Sequence, residues 1–84
     1  MSGPVRATIT YCAECGYEPQ ALETAGALMM EFGTRLAAFE LIPWAEGTFD
    51  VRIGDRLVHS MTRDGGFPAA GDLILAAHEI LTSA

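Results

Sequence analysis

Apolar and polar residues alternate over residues 5–11, Val-Arg-Ala-Thr-Ile-Thr-Tyr, a run rich in β-branched and aromatic types. A period of two predicts a strand with Val5, Ala7, Ile9 and Tyr11 on one face. Residues 12–19 break the alternation and carry Gly16 and Pro19, as a loop does. From Pro19 to Phe32 the period turns helical, with Leu22, Ala25, Leu28, Met29 and Phe32 forming the apolar stripe. Pro19 suits the first turn of a helix, where a missing N–H leaves nothing unpaired, and Gly33 suits its end. Gly26 is a weak spot, costing about 1 kcal/mol against alanine in a helix interior. Arg35 to Ile42 is apolar with limited alternation, as expected of a more buried strand.

Pro43 to Gly47 interrupts the pattern. Residues 48–53 then alternate cleanly and predict a strand with Phe49, Val51 and Ile53 inward. Gly54-Asp55 has the composition of a two-residue hairpin turn with glycine first, and residues 56–61 return as its partner strand. Residues 62–68 read as a glycine-bearing loop. Residues 69–81 read as a second helix with Leu73, Ile74, Ala77, Ile80 and Leu81 on one face. The order β-α-β-β-β-α opens with a βαβ unit, so its two strands run parallel in one sheet with a right-handed crossover. A four-stranded mixed sheet with both helices packed on it would bury most of these faces. At 84 residues the chain is expected to form a single domain spanning 1–84, near the lower end of independent stability.

Charge narrows the function. Five arginines, no lysine and eleven acidic residues give a formal net charge of -6. That balance argues against nucleic acid, whose phosphates demand Lys and Arg, and against anionic membrane surfaces. No stretch approaches the roughly 20 apolar residues of a membrane span. Residues 1–6 lack the basic-then-apolar pattern of a signal peptide, so a cytoplasmic location is expected.

Both cysteines fall in one Cys12-Ala13-Glu14-Cys15 motif. A secreted disulfide framework needs more cysteines, spread along the chain. A single close pair points to redox chemistry or metal binding, and its place between a strand and a helix in a βαβ unit favours redox chemistry. A helix N-terminus presents unpaired N–H groups and a positive dipole end, which lower a thiol's pKa toward the reactive thiolate. The two-residue spacer lets one sulfur resolve a mixed disulfide on the other. Cys12 and Cys15 are therefore the expected catalytic pair, and the chemistry needs no bound cofactor. Glu14 would oppose a neighbouring thiolate and raise its pKa, or be only a solvated loop carboxylate.

Several segments together resemble the selenoprotein W/T/H-like (Rdx) family. These are Ile9-Thr10-Tyr11-Cys12-Ala13-Glu14-Cys15-Gly16-Tyr17, Gly47-Thr48-Phe49-Asp50-Val51, Leu57-Val58-His59-Ser60 and Gly65-Gly66-Phe67-Pro68, in that order. The resemblance covers nearly the whole chain. It implies a thioredoxin-like fold, a role in cell redox homeostasis, and exchange with glutathione or a thioredoxin-type reductant. Cys15 matches the position that is selenocysteine in selenoprotein members. Thioredoxin logic makes Cys12 the attacking thiol, whereas the selenocysteine pattern makes it Cys15. One departure from thioredoxin stands out: Glu46-Gly47-Thr48 precedes the third strand where thioredoxin has a cis-proline.

The other chemistry-bearing residues have plainer readings beside functional ones. His59 and His78 fit no familiar zinc spacing. Trp44, Phe67 and the tyrosines Tyr11 and Tyr17 either contact a partner or pack locally, and Met29 and Met30 read as core filler. A redox enzyme and a redox-switched interaction module with an unknown protein partner both fit this sequence.

Overall fold

The computed structural model describes residues 4–82. The strands are β1 (Arg6–Cys12), β2 (Ala38–Trp44), β3 (Phe49–Ile53) and β4 (Arg56–Ser60). The helices are α1 (Glu18–Phe32), a one-turn α2 (Met61–Asp64) and α3 (Ala70–Thr82), and a short 3-10 turn, Gly33–Arg35, follows α1. Residues 1–3 of the segment expected not to form a signal peptide lie outside the described residues.

The sheet order is β2-β1-β3-β4. β1 pairs parallel with β2, and β3 pairs antiparallel with both β1 and β4. This is the expected mixed sheet. Inward positions follow the period of two: Ala7 and Ile9 on β1, and Phe49, Val51 and Ile53 on β3, are all buried. They form one core with Ala21, Ala25, Leu28 and Phe32 of α1 and Leu73 and Ala77 of α3. Both long helices therefore cover the same face. The alternate positions, Thr8, Thr10, Asp50 and Arg52, belong to the other face, where Glu40 accepts a hydrogen bond from Thr8 and lies 3.9 Å from Arg6.

Gly54, with φ 62°, opens the two-residue turn between β3 and β4. A register shift between Val51 and Arg52 bends the hairpin, as a bulge does. His78 on α3 lies over the Phe32 ring, 4.8 Å between centroids, with its Nε2 3.4 Å from Glu31 Oε2. It thus joins the two long helices.

Three expectations need correction. β2 is not the more buried strand expected: it is an edge strand, and Glu40 to Trp44 are exposed. Pro43 belongs to it, which an edge tolerates because no neighbour requires the missing N–H. The apolar stripe of α1 is rotated: Ala21 is buried, while Leu22 and Met29 are 62% and 52% exposed. Two alanines on the inner line allow the helix to lie close to the sheet, and the larger residues beside them turn outward. The stretch after β4, read as loop, begins with the α2 turn.

Phe49 is fully buried at the junction of the sheet and the aromatic residues beside the cysteines. Phe49→Ala is expected to cost about 3–5 kcal/mol. For a domain this small that loss approaches the total stability. Urea denaturation should show a midpoint lowered to near zero.

Candidate functional site

The site grows from the end of β1. Its two sides are held by backbone bonds from neighbouring segments: Cys12 N–H donates to Thr48 O at 2.7 Å, and Ala13 N–H donates to Trp44 O at 2.9 Å. The chain between β2 and β3 must cross this end, because the two strands lie on opposite sides of β1. It does so in a tight turn in which Thr48 N–H donates to Ala45 O at 3.3 Å. The central residues Glu46 and Gly47 have φ 65° and 70°. Thr48 thus lies beside the cysteine motif, where the comparison with thioredoxin drew attention to a missing proline.

Beyond Cys12 the chain folds back in one turn. Tyr17 N–H donates to Cys12 O and Gly16 N–H to Ala13 O, both at 3.2 Å. This pair of bonds requires a left-handed residue at the fifth position, and Gly16 supplies it with φ 76°. A Cβ there would meet no atom within 4 Å, so the demand for glycine is one of backbone conformation alone. Pro19 falls in the first turn of α1 as expected.

The turn joins Cys12 and Cys15 in a disulfide, with Cα atoms 5.3 Å apart. The two cysteines are not equivalent. Cys12 is fully buried and Cys15 is exposed. Cys12 Sγ also accepts the backbone N–H of Cys15 at 3.2 Å. The polar support reaching this sulfur therefore comes from the loop itself. Gly16 and Tyr17 separate Cys15 from the first residue of α1.

Aromatic residues back the turn. Tyr17 packs edge-on against Phe49 (6.5 Å between centroids) and Phe67 (5.0 Å), and Phe67 packs edge-on against Phe49 at 5.0 Å. Phe67 remains 41% exposed, so it both anchors its loop and presents a face to solvent. Trp44, opposite Cys12 in the sheet register, is 61% exposed. Tyr11 packs against the core, and Met30 is almost wholly exposed rather than core filler.

Sequence reasoning did not assign a role to His59. It is 9% exposed on β4, and its Nε2 lies 2.9 Å from Gly66 O. Its Nδ1 lies 3.7 Å from Asp64 Oδ2. With a carbonyl facing it, Nε2 is the donor, so His59 fixes the loop that carries Phe67 onto Tyr17. Asp64 is itself held by Arg63 Nε and Nη2 at 2.8 and 2.7 Å and by Ser60 N–H at 3.1 Å. A single buried ring thus ties β4, the α2 turn and the glycine loop together. The signal in the sequence was a histidine at an inward strand position, facing Val51. His78 is far from this position in the chain and engages Glu31 instead.

A sheet of order β2-β1-β3-β4, two helices on one face and a Cys-x-x-Cys pair at the end of a central strand define a thioredoxin-like domain with a surface disulfide. Residues 6–76 match the Rdx family. The chain is 34% identical over 65 residues to selenoprotein W of Gallus gallus, covering 76% of each. It is 36% identical over 77 residues to Migration and invasion enhancer 1 of Bos taurus, covering 86% of this chain and 61% of that protein. The chain thus spans about three fifths of the length of that relative. Among solved structures, a Bordetella parapertussis protein superposes with a TM-score of 0.89 at 29% identity, covering 93% of this chain and 99% of that one. A selenoprotein W-related protein from Vibrio cholerae gives the same TM-score at 20% identity, over 94% and 99%. The chain belongs to the Rdx family.

Two outcomes follow from the bracing around Phe67. His59→Leu removes the part-buried bond to Gly66 O, at a cost of about 0.5–1.5 kcal/mol. Denaturant unfolding reads the cost, and faster amide exchange in residues 65–67 localises it. Asp64 is lowered from 3.8 to about 2, first by its hydrogen bonds from Arg63 and then by that from Ser60 N–H. Its folded value lies below its unfolded one, so its support is complete above pH 3.8 and fades as pH falls toward 2. An NMR titration of the Asp64 carboxyl should give a midpoint near 2; a midpoint near 3.8 would contradict the ion pair.

Proposed function

We propose that the protein is a thiol–disulfide exchange protein in which Cys15 meets the external partner and Cys12 resolves. The observation that carries this reading is the asymmetry of the pair: an exposed Cys15, and a buried Cys12 whose sulfur accepts the Cys15 N–H. Family membership supports the redox class of the chemistry. In the oxidised protein an incoming thiolate attacks Cys15 Sγ. The Cys12–Cys15 bond breaks, and Cys12 leaves as a thiolate. Burial disfavours that anion, and the N–H donated by Cys15 offsets part of the penalty. A second thiolate then attacks the external sulfur of that mixed disulfide and expels Cys15 as a thiolate, leaving the protein as a dithiol and the two external sulfurs joined in a disulfide. Two electrons pass from two external thiols to the protein, and the protons go to water and the new thiols.

In the reverse direction Cys15 thiolate attacks a partner disulfide, and Cys12 attacks Cys15 Sγ in the mixed disulfide. Glutathione and thioredoxin-type proteins are the two classes of reductant that would return the pair to its dithiol form. The cytoplasm, as a reducing compartment, supplies both. Among the described residues no helix is long and apolar enough to cross a membrane.

A second reading is a redox-switched interaction module. Trp44 O accepts from Ala13 N–H inside the disulfide loop, and Leu41, Ile42 and Trp44 are exposed along β2. A change of redox state at the cysteines would be transmitted to that edge.

The experiment uses Cys12→Ser and Cys15→Ser variants with a small disulfide. Cys12→Ser is expected to accumulate a stable mixed disulfide on Cys15. Cys15→Ser, with only a buried thiol, should react at least about tenfold more slowly. The opposite order of reactivity, read by mass spectrometry, overturns the assignment. Loss of turnover in both variants with glutathione or thioredoxin as electron donor supports catalysis. Retained partner binding without turnover in the unmodified protein supports the switch.

A further inference from the structure

We infer that the cysteine end of this molecule selects disulfide partners that carry positive charge beside their sulfur and disfavours anionic ones. This inference rests on the exchange reaction proposed above and names its substrate class. Three exposed carboxylates stand on the segments that meet around the disulfide. Glu14 lies between the two cysteines, Glu18 opens α1, and Glu46 lies in the turn whose Thr48 carbonyl holds Cys12. None of them has an ion-pair partner among the described residues. Nor, among the described residues, does an uncommitted arginine stand beside them. Arg63 is committed to Asp64 and to Leu57 O.

The remaining arginines belong elsewhere. Arg6 pairs with Ala38 at the start of β1, Arg56 pairs with Ile53 at the end of β3 far from the cysteines, and Arg35 precedes β2. Arg52 lies opposite Thr8, on the far side of the strand's midpoint. The chain contains no lysine. Charge is therefore segregated along the strand direction, with the reactive sulfur at the negative end.

The same sign continues past the aromatic cluster. A cleft of about 430 Å³ shares Phe67 with that cluster and is lined by Val58, His59, Asp64, Asp72 and Leu73. Asp72 is exposed in the first turn of α3 and has no ion-pair partner among the described residues. A cleft that sets apolar side chains such as Val58, Phe67 and Leu73 beside carboxylates complements the long side chain of a basic residue, whose stem packs while its head stays charged. Both observations fit a basic polypeptide as the disulfide partner. Oxidised glutathione, with its excess of carboxylates, meets repulsion on approach. Fields of this kind act mainly on encounter rates and weaken with salt.

The test follows oxidation of the reduced, full-length protein by three small disulfides: cystamine (cationic), bis(2-hydroxyethyl) disulfide (neutral) and oxidised glutathione (anionic). Dithiothreitol, a neutral dithiol, calibrates their intrinsic reactivity. Reduced Cys15 attacks the disulfide and expels one thiolate. Cys12 then closes the Cys12–Cys15 bond and expels the second, so the protein is oxidised as the reagent is reduced.

At low ionic strength the ratio of cystamine to glutathione rates should exceed the dithiothreitol ratio by about tenfold or more, and at about 0.5 M salt it should approach that reference. Combined Glu14→Gln, Glu18→Gln and Glu46→Gln substitutions should lower the ratio in the same way. The salt series on the unmodified chain stands even if that variant folds poorly. A ratio equal to the reference at both salt concentrations overturns charge selection while leaving exchange intact. Failure to react with any of the three overturns the exchange reading itself.

Discussion

The end of β1 is the constraint on which the site depends. A strand end normally frays, but this one is clamped on both sides, by Thr48 O on Cys12 N–H and by Trp44 O on Ala13 N–H. The clamp exists because β1 is a central strand and the β2–β3 connection has to pass over its tip. Once Cys12 is fixed, the turn closed by Gly16 leaves Cys15 little choice of position, and the two sulfurs meet. The chemistry is thus a by-product of topology. Parallel pairing on one side and antiparallel pairing on the other bring three backbone segments to one point.

The two sulfurs differ because of where the strand stops. Cys12 is the last strand residue and inherits the burial of the sheet, whereas Cys15 belongs to a surface turn. A thiol inside is slow to meet large partners but well placed to attack its neighbour intramolecularly. A thiol outside has the opposite virtues. The division of labour proposed for the pair would therefore need no special residue beyond the turn itself.

Much of this was legible in the sequence. The period of two in residues 5–11 and 48–53, the Gly54-Asp55 turn and the Cys12–Cys15 spacing each carry their own local signal, and each structural element agrees with it. What local pattern could not carry was position within the sheet. Residues 35–42 are mostly apolar, which reads as a more buried strand, yet sheet order makes β2 an edge. The stripe on α1 depends on how closely the helix approaches the sheet, and Ala21 and Ala25 set that distance from inside. The role of His59 depends on a carbonyl seven residues away, beyond a turn whose shape no periodicity describes. The charge arrangement was visible only as a total. Its segregation emerged once the strands were given directions.

The apolar composition of that edge strand has a further consequence. An uncovered strand carrying Leu41 and Ile42 is a template for edge-to-edge stacking between copies at high concentration. Pro43 interrupts the row of donors such stacking would use, and the exposed Glu40 adds charge beside it. The proline that looked like a strand terminator thus acts as a gatekeeper against aggregation.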